Sequence, residues 1–226
     1  MKIIEFCGLP GCGKTTICER LIENFKVCSS NTNVYCRKDV YFFKRRIWDS
    51  YLISRCTPMF FKFYKILNNF IKEYRKGNKR YIDRIYRLYV KLYKISIHYS
   101  DSIVILDEGI VQHITSLAHQ QKIVNSVSFV RLVDFLFSNF EITVINCCID
   151  MNETIRRIKK RNNENDRFNL SDVDEIKKIL NIKNNNINII LEQFHGIRYD
   201  LDMNCSVEEI YNELLKLLLN YGVDKL

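Results

Sequence analysis

Residues 8–15, near the start of the chain, have the types and spacing that bind phosphate groups. They are Gly8, Leu9, Pro10, Gly11, Cys12, Gly13, Lys14 and Thr15, and they match G-x-x-x-x-G-K-[ST] at every fixed position. Glycines let such a loop curl until several backbone N–H groups point into one anion-binding concavity. We predict that Lys14 reaches the β- and γ-phosphates, that the Thr15 hydroxyl holds Mg²⁺, and that Thr16 adds a phosphate contact.

A second group of candidate residues follows the apolar run Ser102–Leu106. Asp107 and Glu108 come directly after this run, at the carboxyl end of a predicted strand, where open parallel sheets bind their ligands. Asp107 is therefore a candidate Mg²⁺ ligand, either directly or through water. If the phosphate acceptor is a hydroxyl group, Glu108 and Asp39 are candidate general bases.

The phosphate donor is predicted from motifs that the chain lacks. GTP-dependent switch proteins carry Asp-x-x-Gly after this strand and Asn-Lys-x-Asp after a later one, and the sequence has neither at those places. ATP is therefore the favoured donor.

Arg157, Arg161 and Arg167 form the third candidate group. Arg157 and Arg161 are four residues apart and share one face of a predicted helix, and Arg167 follows in a polar segment. Phosphoryl transfer requires positive charge on the transferring group and the exclusion of water, which arginines on a closing lid would supply. A solvated basic helix end is the alternative interpretation.

These groups must be positioned by an alternation of strands and helices. A short apolar strand precedes the phosphate loop, and the helix Thr15–Phe25 follows it. The five predicted strands are Ile3–Cys7, Asn33–Arg37, Ser102–Leu106, Ile142–Cys147 and Ile197–Asp202. Because helices separate them, we expect a parallel sheet covered on both faces within a single domain, residues 1–226. The last helix is predicted over Val207–Leu219.

Residues 41–99 interrupt this alternation with two or three predicted helices. We expect helix breaks at Thr57–Pro58 and Gly77–Asn78, and a further interruption of a later helix at Asn184–Asn186. The whole chain carries a net charge of +9, but residues 41–99 hold fifteen lysines and arginines against three acidic residues. The remainder of the chain is therefore slightly acidic.

The basic segment has three interpretations that the sequence leaves open. Its aromatic residues recur at helical spacing, as in a packed amphipathic helix with a basic outer face. Alternatively, Arg37, Arg45 and Arg46 bind an anionic acceptor through bidentate contacts. The third interpretation is a nucleic-acid surface, where basic and aromatic residues combine.

Taken together, these motifs make the chain similar to the P-loop kinases of the nucleoside monophosphate kinase group, and to thymidylate kinase most of all. Beyond the phosphate loop, the resemblance lies in Arg157, Arg161 and Asp166-Arg167, and in Tyr199–Asp202 followed by Ser206–Ile210. A weaker likeness covers Val34–Asp39. Where the related kinases carry Asp-Arg-Tyr or Asp-Arg-Ser, this chain has Asp107-Glu108-Gly109.

The resemblance implies a P-loop NTPase three-layer αβα sandwich with a five-stranded sheet ordered 2-3-1-4-5. It also implies a lid over residues 157–170, and acceptor binding by the helical insertion, residues 41–99. The first hypothesis is thus an ATP- and Mg²⁺-dependent kinase acting on a small anionic or nucleoside-like acceptor. The alternative is a nucleotide-dependent nucleic-acid-binding ATPase or a polynucleotide 5′-kinase.

Composition suggests the setting of this chemistry. The nine cysteines form no C-x-x-C pair, so we expect them to be reduced, in a cytoplasmic protein. No apolar run is long enough to span a bilayer, and we expect no membrane partner. A helical face could support a homodimer.

Overall fold

A computed structural model describes residues 1–28, 34–36, 50–73, 79–118, 121–160 and 172–219. Its centre is a five-stranded parallel sheet. The strands are β1 (Lys2–Gly8), β2 (Val34–Cys36), β3 (Ile103–Leu106), β4 (Glu141–Cys148) and β5 (Ile197–Asp202), in the order β2-β3-β1-β4-β5. The five predicted strands and the predicted order are confirmed.

Eight helices surround the sheet in the described part of the chain. They are α1 (Lys14–Cys28), α2 (Ser50–Glu73), α3 (Lys79–His98), α4 (Ile110–Leu117), α5 (Val127–Ser138), α6 (Met151–Lys160), α7 (Val173–Glu192) and α8 (Val207–Leu219). The last helix has the bounds predicted for it. Among the described helices, none is both long enough and apolar enough to cross a bilayer.

The sheet divides the core into two apolar layers because successive side chains of a strand point to opposite faces. Ile4 and Phe6 of β1 belong to the layer formed with α1 and α8. Ile3 and Cys7 belong to the opposite layer, formed with α2, α3, α4, α5 and α7. β1 is buried on both faces, and its carboxyl end leads into the phosphate loop at the middle of the sheet.

The basic insertion contributes a large part of the second layer. Phe63 of α2 and Tyr89 of α3 are fully buried, with ring centroids 4.4 Å apart, and Phe135 of α5 lies 5.4 Å from Phe63. The described aromatic residues of α3 therefore pack into the core, as expected for an amphipathic helix. This confirms the first interpretation of the basic segment for these residues.

Two predicted interruptions are wrong. α2 continues through Pro58, although proline removes one helical hydrogen bond, because the helix buries Phe63, Leu67 and Phe70 beyond it. α7 continues through residues 184–186. There, Asn186 is buried and its side chain accepts from Ile123 N at 2.8 Å and donates to Gln121 O at 2.9 Å. The asparagine thus makes tertiary contacts instead of breaking the helix. The predicted break at Gly77–Asn78 lies outside the described residues.

Candidate active site

The phosphate loop joins β1 to α1, and three of its glycines are required by geometry. Gly8, Gly11 and Gly13 have φ values of +143°, +87° and +98°, which residues with a side chain rarely adopt. A Cβ atom at Gly8 would also lie 2.7 Å from the carbonyl oxygen of Cys147. The loop therefore passes close to β4 and delivers its backbone N–H groups to the amino end of α1, where anions bind.

Lys14 is buried beneath this loop. Its ammonium group donates to the carbonyl oxygens of Gly8 at 3.0 Å and Leu9 at 2.7 Å, and it lies 3.4 Å from Cys12 Sγ. A hydrogen bond from Cys147 and the nearby Lys14 ammonium lower the pKa of the Cys12 thiol to about 6, although burial opposes them. Lys14 is the one cation within residues 8–15, and its contacts hold the ammonium group against the loop, where it could neutralise phosphate charge.

Thr15 and Asp107 meet beside the loop, as the sequence predicts for a metal site. The Thr15 hydroxyl donates to Asp107 Oδ2 at 3.0 Å, and Asp107 is buried at the end of β3. Two neighbouring ligands in an octahedral Mg²⁺ shell stand about 2.9 Å apart, since each lies 2.0–2.1 Å from the ion. The two oxygens therefore fit adjacent positions around Mg²⁺.

Among the described residues, no group of three or more His, Cys, Asp and Glu side chains could hold a metal. A two-oxygen site is nevertheless usual for Mg²⁺, which binds one or two protein groups together with substrate phosphates and water.

Arg157 connects α6 to the loop. Its guanidinium group donates to Cys12 O at 3.4 Å, to Met203 O at 3.1 Å and to Glu153 Oε1 at 2.7 Å. Arg156 and Arg157 together lower the pKa of Glu153 to about 2 through hydrogen bonds. Arg157 is thus held against the phosphate loop by contacts that also fix the direction of its side chain.

A cavity of about 300 Å³ opens beside the loop, and neither Thr15 nor Asp107 lines it. Gly11, Gly13 and Thr16 border it on the loop and α1, and Arg157 borders it on α6. Lys160, Cys12 and Cys205 also line it, and the apolar side chains in its lining are Ile17, Met203, Val207 and Ile210. This lining suits the sugar or base of a nucleotide whose phosphates occupy the loop.

Several predicted site residues lie outside the described part of the chain. They are Arg37, Asp39, Arg45, Arg46, Arg161 and Arg167, together with the predicted lid beyond Lys160. Glu108, the other candidate base, is described, and its side chain is exposed directly after Asp107. The assembled part of the site is therefore the loop, Lys14, Thr15, Thr16, Asp107 and Arg157.

Sequence reasoning missed Glu5, which is fully buried in the middle of β1. Its carboxylate accepts from the N–H groups of Ile110 at 2.9 Å and Val111 at 2.7 Å, at the start of α4. Burial raises the pKa of Glu5 to about 7, even though these backbone hydrogen bonds lower it. A single acidic residue within an apolar run was the available signal, and its partners are 105 and 106 residues away.

Comparison with solved structures shows that the chain has the P-loop kinase fold. Deoxyadenosine kinase from M. mycoides with bound dCTP is 18% identical, with a TM-score of 0.54, covering 97% of this chain and 100% of that one. The same enzyme with bound dATP gives 18% identity and a TM-score of 0.52, over 96% and 99% of the two chains.

The YorR protein of Bacillus subtilis, in complex with phosphorylated GDP, is 14% identical with a TM-score of 0.52, over 97% of each chain. No family model and no curated protein matches the sequence. At these identities the likeness establishes the fold, with the sheet order predicted above, and chemistry must be argued from the site.

Proposed function

We propose that this chain is a nucleotide kinase that transfers the γ-phosphate of ATP, with Mg²⁺, to a nucleoside or a nucleoside monophosphate. The observation that carries the proposal is the pair of oxygens on Thr15 and Asp107, 3.0 Å apart beside a complete phosphate loop. Deoxyadenosine kinase and YorR, which share the fold, support a nucleoside-like acceptor. The sequence motifs favour a thymidylate kinase-like enzyme within this class.

In the proposed reaction an acceptor oxygen bonds to the γ-phosphorus while the bond from that phosphorus to the bridging oxygen of ADP breaks. The loop N–H groups and the Lys14 ammonium hold the β- and γ-phosphates and stabilise the charge that develops on them. Bound Mg²⁺ supplies further neutralisation of that charge, and Thr15 and Asp107 would hold it.

Arg157 has two roles in this proposal. Its contacts to Cys12 O and Met203 O keep α6 and the residue after β5 against the phosphate loop. Its planar guanidinium also borders the cavity, where it suits stacking on a nucleotide base. Arg161 and Arg167 would then close over the transferred group.

The proton on the acceptor distinguishes the two acceptor classes. A nucleoside hydroxyl must lose its proton, and Glu108 or Asp39 would accept it. A nucleoside monophosphate attacks through an ionised phosphate oxygen and needs no base. Loss of Glu108 or Asp39 should therefore slow transfer to a nucleoside and spare transfer to a monophosphate.

The test is γ-phosphate transfer from labelled ATP across deoxynucleosides, their monophosphates and 5′-hydroxyl oligonucleotides. We expect one acceptor class to be labelled, with Lys14→Ala lowering turnover by about 10²–10³-fold because the loop loses its cation. Thermal unfolding of Lys14→Ala serves as the control for folding. Equal turnover by a folded Lys14→Ala protein would contradict the mechanism.

One observation favours a second candidate function, nucleic-acid binding by α2. Phe61 and Tyr64 on this helix have exposures of 70% and 49%, and exposed Lys65 and Lys72 accompany them. Exposed aromatic rings among lysines suit single-stranded nucleic acid, whose bases stack and whose phosphates attract cations.

A further inference from the structure

Glu5 is a fully buried carboxyl group close to the phosphate loop, and the proposed chemistry does not use it. It stands at the centre of β1, opposite Leu106 of β3 in the sheet register, and its side chain has no exposed surface. Leu106 is the last residue of β3 and directly precedes Asp107. Glu5 therefore lies beneath the turn that carries the candidate metal ligand.

The carboxylate of Glu5 caps α4 from a different strand. α4 begins at Ile110, and Gly109, its N-cap residue, has no side chain that could accept hydrogen bonds from the first turn. Glu5 Oε2 and Oε1 accept from Ile110 N and Val111 N instead. Hydrogen bonds to a carboxylate are stronger than those between neutral groups, and a negative charge at a helix amino end is favourable.

Position 109 has no room for a side chain beside the Glu5 carboxylate. A Cβ atom there would lie 2.4 Å from Glu5 Cδ and 2.6 Å from Glu5 Oε2, closer than real contacts allow. Any other residue at position 109 would therefore displace the carboxylate from α4. Glu5 thus accounts for glycine at the third position of Asp107-Glu108-Gly109, where the resembling kinases carry tyrosine or serine.

The connection from Glu5 to Asp107 is short. Only Glu108 and Gly109 separate Asp107 from the first residue of α4. Since β3 is fixed in the sheet on one side of the turn and Glu5 fixes α4 on the other, the turn is held at both ends. Asp107 then presents its carboxylate to Thr15 Oγ1 at 3.0 Å.

We propose that Glu5 is a positioning residue that, with Gly109, holds Asp107 at the distance from Thr15 that Mg²⁺ requires. The inference rests on the proposed magnesium-dependent function. If the role of Glu5 were purely structural, its replacement would lower stability and leave the contribution of Mg²⁺ to nucleotide binding unchanged.

The experiment measures the affinity of the full chain for ADP by calorimetry, with Mg²⁺ and with a chelator, at one pH above 7, where Glu5 is ionised. We expect Mg²⁺ to tighten ADP binding to the wild type. In Glu5→Gln, one N–H donor of α4 faces an amide N–H instead of an oxygen, so the turn shifts. We expect that tightening to fall at least fivefold, with the metal-free affinity for ADP changing less than twofold.

A second variant tests the same contact through a change at Gly109. Gly109→Ala should displace the Glu5 carboxylate and reduce the effect of Mg²⁺ in the same way, which keeps the proposal testable where Glu5→Gln fails to fold. Ser126→Ala is the matched control, because Ser126 caps α5 through Phe129 N, away from the loop. It should lower the melting temperature and leave both ADP affinities unchanged.

The outcomes separate this inference from the proposed function. An unchanged effect of Mg²⁺ in folded Glu5→Gln and Gly109→Ala proteins would overturn the positioning role and leave the kinase proposal intact. A wild type that binds ADP equally with and without Mg²⁺ would overturn both. If the variants lose the effect of Mg²⁺ but no acceptor is phosphorylated by the wild type, the positioning role stands and the kinase proposal fails.

Discussion

Glu5 carries a thermodynamic cost that is set by its burial. The pKa of this carboxyl group is raised to about 7 in the folded chain, against 4.5 for an ordinary glutamate. Between these two values the folded chain binds a proton that the unfolded chain has released. The contribution of Glu5 to the free energy of unfolding therefore falls as the pH rises through this window, and below pH 4.5 that contribution no longer depends on pH.

We predict that Glu5→Gln removes this dependence, because glutamine does not titrate. The wild type should lose about 3 kcal/mol of unfolding free energy relative to Glu5→Gln between pH 4.5 and 7, an upper value from the raised pKa. Urea unfolding of both proteins across this range is the measurement. Because the two proteins differ only at residue 5, the difference between their curves isolates the contribution of Glu5. Parallel stability curves would contradict the prediction.

The residues of the site differ in how far sequence alone identifies them. Lys14, Thr15 and Asp107 were predicted because a known loop pattern and a strand ending in carboxylates place them at one edge of a sheet. Glu5 was not predicted, because its role depends on which helix lies above β1. A one-dimensional pattern contains no information about an N–H group more than a hundred residues away.

At the scale of the element, α8 shows how a local motif fixes one wall of the cavity. Ser206 Oγ accepts from Glu209 N at 3.3 Å, and Glu209 Oε2 accepts from Ser206 N at 2.9 Å. This reciprocal capping box satisfies two backbone donors at the start of the helix. Val207 and Ile210, which border the cavity, follow directly.

We predict that Ser206→Ala lowers the free energy of unfolding by about 1 kcal/mol, because the first turn of α8 loses its cap. Ser206→Thr, which retains a hydroxyl that can accept from Glu209 N and donate to Glu209 Oε2, is the matched control and should stay close to the wild type. Chemical unfolding of the three proteins is the measurement. An equal loss in Ser206→Ala and Ser206→Thr would show that the cap does not stabilise α8.

The elements themselves were largely predictable where local signals agree. Apolar strands separated by helices gave the parallel sheet, and the Ser-x-Glu-Glu sequence placed the start of α8. Pro58 and Asn184–Asn186 misled the prediction because both are local breaking signals. Burial of Phe63 and Phe70 and the tertiary hydrogen bonds of Asn186 outweigh them, and such contacts exist only once the chain has folded.

At the scale of the whole molecule, the net charge of +9 is concentrated in one insertion. α2 and α3 place their apolar faces in the core, and the described basic residues Lys62, Lys65, Lys72 and Arg87 are exposed. A second copy of the same basic face would meet it with like charge, which opposes a dimer through this surface. A single strand of nucleic acid is anionic and is attracted to this basic face, and its bases can stack on the exposed rings of Phe61 and Tyr64.

We predict that labelled single-stranded oligothymidine binds the protein with an affinity that falls steeply with salt, and that Lys65 and Lys72 contribute to it. Neutralising both, as Lys65→Gln with Lys72→Gln, should reduce the slope of log K against log salt by about 1.4, because each lost phosphate contact removes about 0.7. Fluorescence anisotropy at several salt concentrations is the measurement.

The matched control for this prediction changes the net charge equally on another helix. Lys177 and Lys178 are exposed on α7, and Lys177→Gln with Lys178→Gln also removes two positive charges. If binding depends on the α2 surface, this control keeps the wild-type slope, and Phe61→Ala weakens binding without altering the slope because a lost stacking contact releases no counterion. Equal loss in both lysine pairs would mean that net charge alone attracts the strand, and α2 would then be a solvated face of a kinase for small acceptors.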